Sequence, residues 1–184
     1  MIDNLDALKA AVARGERFTY RPFWKATPSP DGRATDACFS QWWLSDFTVD
    51  GVKYSTAEQW MMAGKARMFH DDAVLAEILT THDPARVKAL GRKVRGFDEA
   101  TWKLRRLDLV TEGNVAKFSQ APPLRAHLLS TGDAVLVEAS PLDRIWGIGV
   151  APEHPDVSDP ARWRGANLLG FALMRARARL ASTG

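Results

Sequence analysis

The chain changes its hydrophobic period several times, and each change marks an element. Ile2, Leu5, Leu8 and Val12 fall roughly on one stripe, the spacing of a short amphipathic helix. Residues 17–25, RFTYRPFWK, read as a strand broken at Pro22, and the following ATPSPDGRATD is a turn-rich loop. Residues 38–54, CFSQWWLSDFTVDGVKY, predict two strands joined by Asp50-Gly51, a strong hairpin signal. The period then lengthens. Trp60, Met61, Ala63 and Met68 suit a helix opened by Thr56 as N-cap, with Gln59 completing a capping box. Further helices are expected over 71–80, from Asp83-Pro84 through Val94 with Gly96 as the stop, over 99–118, and after Pro122-Pro123. Residues 134–139, AVLVEA, are a β-rich burst, and 167–180 are helical, with Asn167 placed as N-cap. This order argues an α+β fold: a mostly helical single domain around a small β-sheet, with residues 1–16 an extra N-terminal helix.

Composition narrows the class. With 184 residues, 46% hydrophobic and 26% charged, the chain suits one globular domain. No apolar run nears the ~18 residues of a membrane span, and the N-terminal stretch does not read as an export signal. The lone cysteine, Cys38, excludes an internal disulfide and reads as a buried thiol, so the cytoplasm is the expected compartment. Four histidines are scattered without ligand spacing, so neither a metal site nor a cofactor is expected. The net charge of +3 is mild but uneven. Arg92, Lys93, Arg95, Lys103, Arg105 and Arg106 cluster mid-chain, and Arg175, Arg177 and Arg179 lie near the end. These are either solvated helix faces or a draw for phosphate.

Three segments could carry chemistry. In 138-EASPLDRIWGIG-149, Glu138 and Asp143 flank a turn at Ser140-Pro141. Paired carboxylates are what glycosidic chemistry uses. Trp146 could stack on a base, and Gly147 and Gly149 could admit a ligand close to the backbone. A surface turn with a buried Trp explains the same residues. In 56-TAEQWMMAGKARMF-69, Glu58 and Lys65 lie seven apart. On a helix that places them about 20° apart around the axis and roughly 10.5 Å along it. An amine rising from a Met-rich face is desolvated, which frees it as a nucleophile, although ordinary exposed side chains would show the same spacing. In 163-WRGANLLG-170, the helix start at Asn167 could offer N–H groups to a phosphate, helped by Arg162 and Arg164. Trp102 is either core or pocket wall.

These pieces, in this order, are similar to the NADAR family. The matching stretches are DGVKYSTAEQW with Lys65 following, LGRKV, Trp102, TGDAVLVEASPLDRIWGIG and WRGANLLGFALMRAR, over roughly residues 38–181. The resemblance implies a small α+β N-glycosidase that cleaves a base–ribose bond. It also implies a ribosyl or ADP-ribosyl substrate, either a phosphoribosylamino-pyrimidine of riboflavin biosynthesis or ADP-ribosylated guanine in nucleic acid, DNA included. Lys65 is then the residue that forms a Schiff base with ribose C1, with Glu58, Trp102 and Trp146 associated with activity. On this reading Asp143 moves protons, Glu138 lies in the binding site, and Arg92, Lys93 or the Asn167 helix start holds phosphate. Met62 and Gln41-Trp42 depart from the family's usual residues beside the expected pocket, which bears on substrate identity. The alternatives are a non-catalytic ADP-ribose or NAD binder and, from the basic cluster, a nucleic-acid module.

Overall fold

The computed structural model of the chain describes residues 2–182. In order they form α1 (Leu5–Ala13), β1 (Tyr20–Phe23), β2 (Phe47–Val49), β3 (Val52–Tyr54), α2 (Ala57–Met68), α3 (Asp72–Leu79) and α4 (Pro84–Gly91). Then follow α5 (Glu99–Ser119), α6 (Pro122–Leu129), β4 (Val135–Glu138) and α7 (Leu168–Ala181). The fold is α+β and mostly helical, as expected, but its strands make two separate pairs rather than one sheet. The β2–β3 hairpin closes through Asp50 and Gly51 at φ 49° and 77°, the left-handed values its tight turn needs. β1 and β4 run parallel, in register from Tyr20–Val135 to Phe23–Glu138. Pro22 is tolerated because a two-stranded pair leaves one side of each strand open.

Three local expectations are corrected. Residues 38–46 are not a strand. A short 3-10 turn at Asp36–Phe39 leads into a loop, because Lys117 draws in the carbonyls of Cys38 and Ser40 at 2.6 and 3.1 Å. α4 stops at Gly91 rather than near Val94. Beyond it the chain turns so that Asp71 can accept the Arg95 amide at 2.9 Å and its guanidinium at 2.7 Å. Val12 leaves the α1 stripe and is exposed, whereas Leu8 and Ala11 are buried.

Thr56 caps α2 by accepting the Gln59 amide at 3.1 Å. Gln59 reaches past Thr56 to the Ser55 amide at 2.7 Å and donates to the carbonyls of Ile78 and Thr81, both at 2.9 Å. The cap therefore also staples α2 to the end of α3. α7 lies between α5 and β4. A Cβ on Gly170 would come within 2.1 Å of the Leu136 carbonyl, so only glycine allows this approach. Leu136, Leu169, Phe171 and Leu173 are fully buried along that seam. At about 1.5–3 kcal/mol each, they outweigh a few net hydrogen bonds of about 1 kcal/mol in holding β4. Among the described residues no helix is long and apolar enough to cross a membrane.

Candidate active site

The parallel pair ends at Phe23 and Glu138, and the site is built from there. After Glu138 the chain turns, and Asp143 Oδ1 accepts the amides of Ile145 and Trp146, both at 2.8 Å. That carboxylate sets the shape of the loop. Glu58 arrives from the first turn of α2, its amide donating to the Gln41 carbonyl at 2.9 Å. It is 3% exposed. Glu58 Oε1 and Glu138 Oε2 are sealed from solvent with no hydrogen-bond partner. Each carries an oxygen that the protein itself does not satisfy, a costly arrangement when the group is charged.

The Asp143 charge acts on both Glu58 and Glu138. Burial pushes the Glu138 carboxyl up to about 8; the Asp143 charge adds, Lys88 opposes, and Glu58 adds again. Burial pushes Glu58 up to about 7, against Lys88, a hydrogen bond with Trp42, and Arg92, while Asp143 adds to the rise. Two carboxyls are thereby held partly or mostly protonated near neutrality beside a third.

Lys65 does not point into bulk solvent. Its Nζ donates to the Gly91 carbonyl at 2.8 Å and lies 4.1 Å from the Phe97 ring centroid and 5.8 Å from that of Trp102. Burial alone lowers its pKa. Among the described residues it forms no ion pair with the three acids. Two elements connect the amine to them. Gly91 holds Lys65 while the adjacent Arg92 acts on Glu58. On α5, Trp102 faces Lys65, and Arg106, one turn later, feels the charge of Asp143 as well as Glu99. The amine and the acids are thus linked through neighbours on α4 and α5, with no direct contact between them among the described residues.

Several expectations change. Asn167 sits at the start of α7 with φ 53° but does not cap it. Its amide side chain donates to the Leu136 carbonyl and accepts the Glu138 amide, both at 2.9 Å. The amides of Asn167, Leu168 and Leu169 go to the carbonyls of Gly147, Ile145 and Trp146, so this helix start has no free donors there for phosphate. Gly147 is buried, and a Cβ would lie 2.8 Å from the Glu138 carbonyl; its bareness serves the protein's own packing, not a ligand. Trp102 is buried, Trp146 half-buried, and Arg92 exposed at the end of α4. Arg175 pairs with Asp3 and Asp108, and Arg177 bonds Thr131 and Ala134, so both tie elements together. Cys38 is buried, its thiol pushed up to about 11 by burial, as an inert thiol should be. Sequence reasoning missed Lys88 as a neighbour of the acids; it placed Trp42 beside the expected pocket and Arg106 in the basic cluster, without joining either to Glu58 or Asp143. Lys88 lies 5.9 Å from the Trp42 ring centroid. No local spacing joins these residues to the acids; the packing of α4, α5 and the loop after Phe39 brings them in.

Fold and site define the class: an α+β domain with two buried, raised carboxyls beside a third acid and a desolvated amine on the helix that bears one of them. The NADAR domain model matches residues 22–181, and the chain belongs to that family. It is 43% identical over 144 residues to N-glycosidase R617 of Acanthamoeba polyphaga mimivirus, covering 76% of this chain and 85% of that one. Against N-glycosidase YbiA of Escherichia coli (strain K12) it is 31% identical over 143 residues, covering 78% and 81%. The NMR structure of the E. coli protein YbiA superposes with TM-score 0.72 at 27% identity, covering 91% of this chain and 88% of that one. The maize (Zea mays) riboflavin biosynthesis protein PYRR, chloroplastic, is 34% identical over 114 residues, 60% of this chain but 16% of that protein. The relatives named N-glycosidase are hydrolases of N-glycosyl bonds, the enzyme class expected from the sequence. Helix α1 precedes the matched residues.

Proposed function

We propose that this chain hydrolyses the bond between a base amine and ribose C1, with a phosphoribosylamino-pyrimidine as the favoured substrate class. The observation that carries this reading is that the Asp143 charge raises two buried carboxyls, Glu58 and Glu138, while a desolvated Lys65 rises from the helix that bears Glu58. The name of the maize relative, a riboflavin biosynthesis protein, favours the pyrimidine substrate over a base in DNA.

The ribosylamine opens its ring: the C1–O4 bond breaks, O4 takes a proton, and C1 becomes an iminium to the base nitrogen. Neutral Lys65 Nζ adds to C1 and gives up one proton to a neighbouring carboxylate, leaving an uncharged aminal. Glu138, mostly protonated below about 8, gives its proton to the base nitrogen as the C1–N bond breaks and the base leaves as an amine. C1 stays bound to Lys65 as a Schiff base. Water adds to C1, a carboxylate takes its proton, and Lys65 leaves as the sugar closes. This assigns proton transfer to Glu138 rather than Asp143, whose carboxylate is engaged by two loop amides. Glu58 would hold ribose hydroxyls. Lys88, Arg92 and Arg106 supply positive charge for a substrate phosphate. The buried free Cys38 suits a reducing compartment, and the cytoplasm is the proposed setting.

Incubation with a ribosylamino-pyrimidine phosphate and, separately, with DNA carrying ADP-ribosylated guanine tests the reading. Borohydride should trap a sugar on Lys65, and Lys65→Ala should lose both trapping and turnover. Ligand binding without release of base from either substrate would leave a non-catalytic binder in its place.

A further inference from the structure

A second concavity, about 530 Å3 in volume, opens beside β1; its lining includes Arg21, Trp24, Lys25, Asp36, His127 and Pro152. That volume lies in the range of small-molecule sites. None of these side chains takes part in the steps above. Asp36 is the hub. Its carboxylate accepts Arg21 Nε at 2.9 and 2.7 Å and meets His127 Nε2 at 2.8 Å. With Nε engaged, both Nη groups of Arg21 stay without a protein partner among the described residues, on a side chain 35% exposed. Lys25 sets its ammonium 4.7 Å from the Trp24 ring centroid and forms no ion pair among the described residues. The concavity therefore presents an indole, a guanidinium fixed along one edge, and an ammonium whose charge no carboxylate cancels.

We propose that this concavity is a nucleotide subsite, with a planar ring on Trp24 and its phosphate between Lys25 and the free edge of Arg21. A guanidinium fork beside an ammonium suits a phosphate, and an indole backed by a cation suits a ring. Asp36, occupied by two donors, holds the fork in place. The location adjoins the acids. Phe23, next to Trp24, is the register partner of Glu138, and the segment carrying Asp36 runs on to Trp42 at Glu58. The same unit can come as a free mononucleotide or as one residue of a strand.

Calorimetric titration of the full chain with AMP, adenosine, inorganic phosphate and a short single-stranded oligonucleotide tests this. AMP should bind more tightly than adenosine or phosphate. Trp24→Ala and Lys25→Ala should each weaken AMP binding at least about fivefold. Lys65→Ala should leave it unchanged. An oligonucleotide that binds more tightly than AMP, still through Trp24, identifies a strand; equal or weaker binding identifies the free nucleotide. The proposal is overturned if neither AMP nor oligonucleotide binds at millimolar concentration. It is equally overturned if both the Trp24 and Lys25 variants bind as wild type, or if Lys65→Ala abolishes binding. Binding is read without turnover, so this outcome is independent of the N-glycosidase reading.

Discussion

Replacing Glu138 by Gln removes a charge that the fold resists. In the folded chain this carboxyl is pushed from its ordinary 4.5 up to about 8, by burial first and then by the Asp143 charge. At about 1.4 kcal/mol per tenfold change, ionising it in place costs roughly 5 kcal/mol, a ceiling because water drawn in beside it would lessen it. The folded chain holds this proton more tightly than the unfolded one. Its contribution to stability is therefore whole below about 4.5 and lost as pH rises through about 8. Glu58, pushed up to about 7, acts in the same direction and window. Lys117, lowered to about 8 by burial, acts in the opposite direction, and only above that pH. Urea denaturation from pH 5 to 8.5 separates these contributions. Wild type should lose stability across the range by on the order of 2–5 kcal/mol. Glu138→Gln should show a much flatter curve. It should be equal to or up to about 2 kcal/mol weaker than wild type at pH 5, since its new amide lacks a partner, and more stable at pH 8.5. A variant with the wild-type slope, or one weaker than wild type at pH 8.5, would refute the claim that Glu138 is held protonated by its surroundings.

Three other substitutions probe the same architecture. Lys88 holds both buried acids down, so Lys88→Met should raise their pKa values and move the alkaline limb of the pH–kcat/KM profile upward, with an unmoved limb counting against the site as described. Asn167→Ala removes two buried hydrogen bonds and places alanine at φ 53°, and a loss of roughly 3 kcal/mol or more is expected by denaturation; Asn167→Gly, which relieves only the backbone, should recover about 1 kcal/mol of it. Gly170→Ala drives a Cβ to 2.1 Å from the Leu136 carbonyl, a backbone atom that cannot step aside; a loss of at least about 2 kcal/mol should appear as a lowered Tm, and unchanged stability would mean α7 is not seated on β4.

What the sequence made legible was local. Asp50-Gly51 turns a hairpin wherever it stands, and Thr56 with Gln59 marks a helix start from four residues alone. Glu58 and Lys65 could be placed on one helix because the period needs no partner. The parallel pairing of β1 with β4 joins residues more than a hundred positions apart, and neither strand carries a mark of its mate. Lys88, Trp42 and Arg106 approach the acids through the packing of α4, α5 and the loop after Phe39, which no short window encodes. Asn167 was misread for an instructive reason. An asparagine before an apolar helix looks like a cap, yet this one adopts the left-handed conformation and spends its side chain on β4. Gly147 looked like room for a ligand, and the space is filled by the protein's own carbonyls.

Glu138 keeps its unpaired oxygen beside a loop that is tied from several sides. Asp143 ties the loop from within through Ile145 and Trp146, and the first amides of α7 tie it from without through the carbonyls of residues 145–147. Gly165 lies so close that a Cβ would be 2.3 Å from the Gly147 carbonyl, closing the remaining direction. Asn167 fixes the backbone of Glu138 from the same helix. Glu58 comes from a helix stapled at its start to α3. Each acid is therefore positioned by an element anchored elsewhere in the core, and the cost of crowding them is borne by α7 and its apolar seam with β4. A looser loop would let Glu138 find a donor or water, drop toward its ordinary pKa, and lose the proton that the proposed cleavage requires.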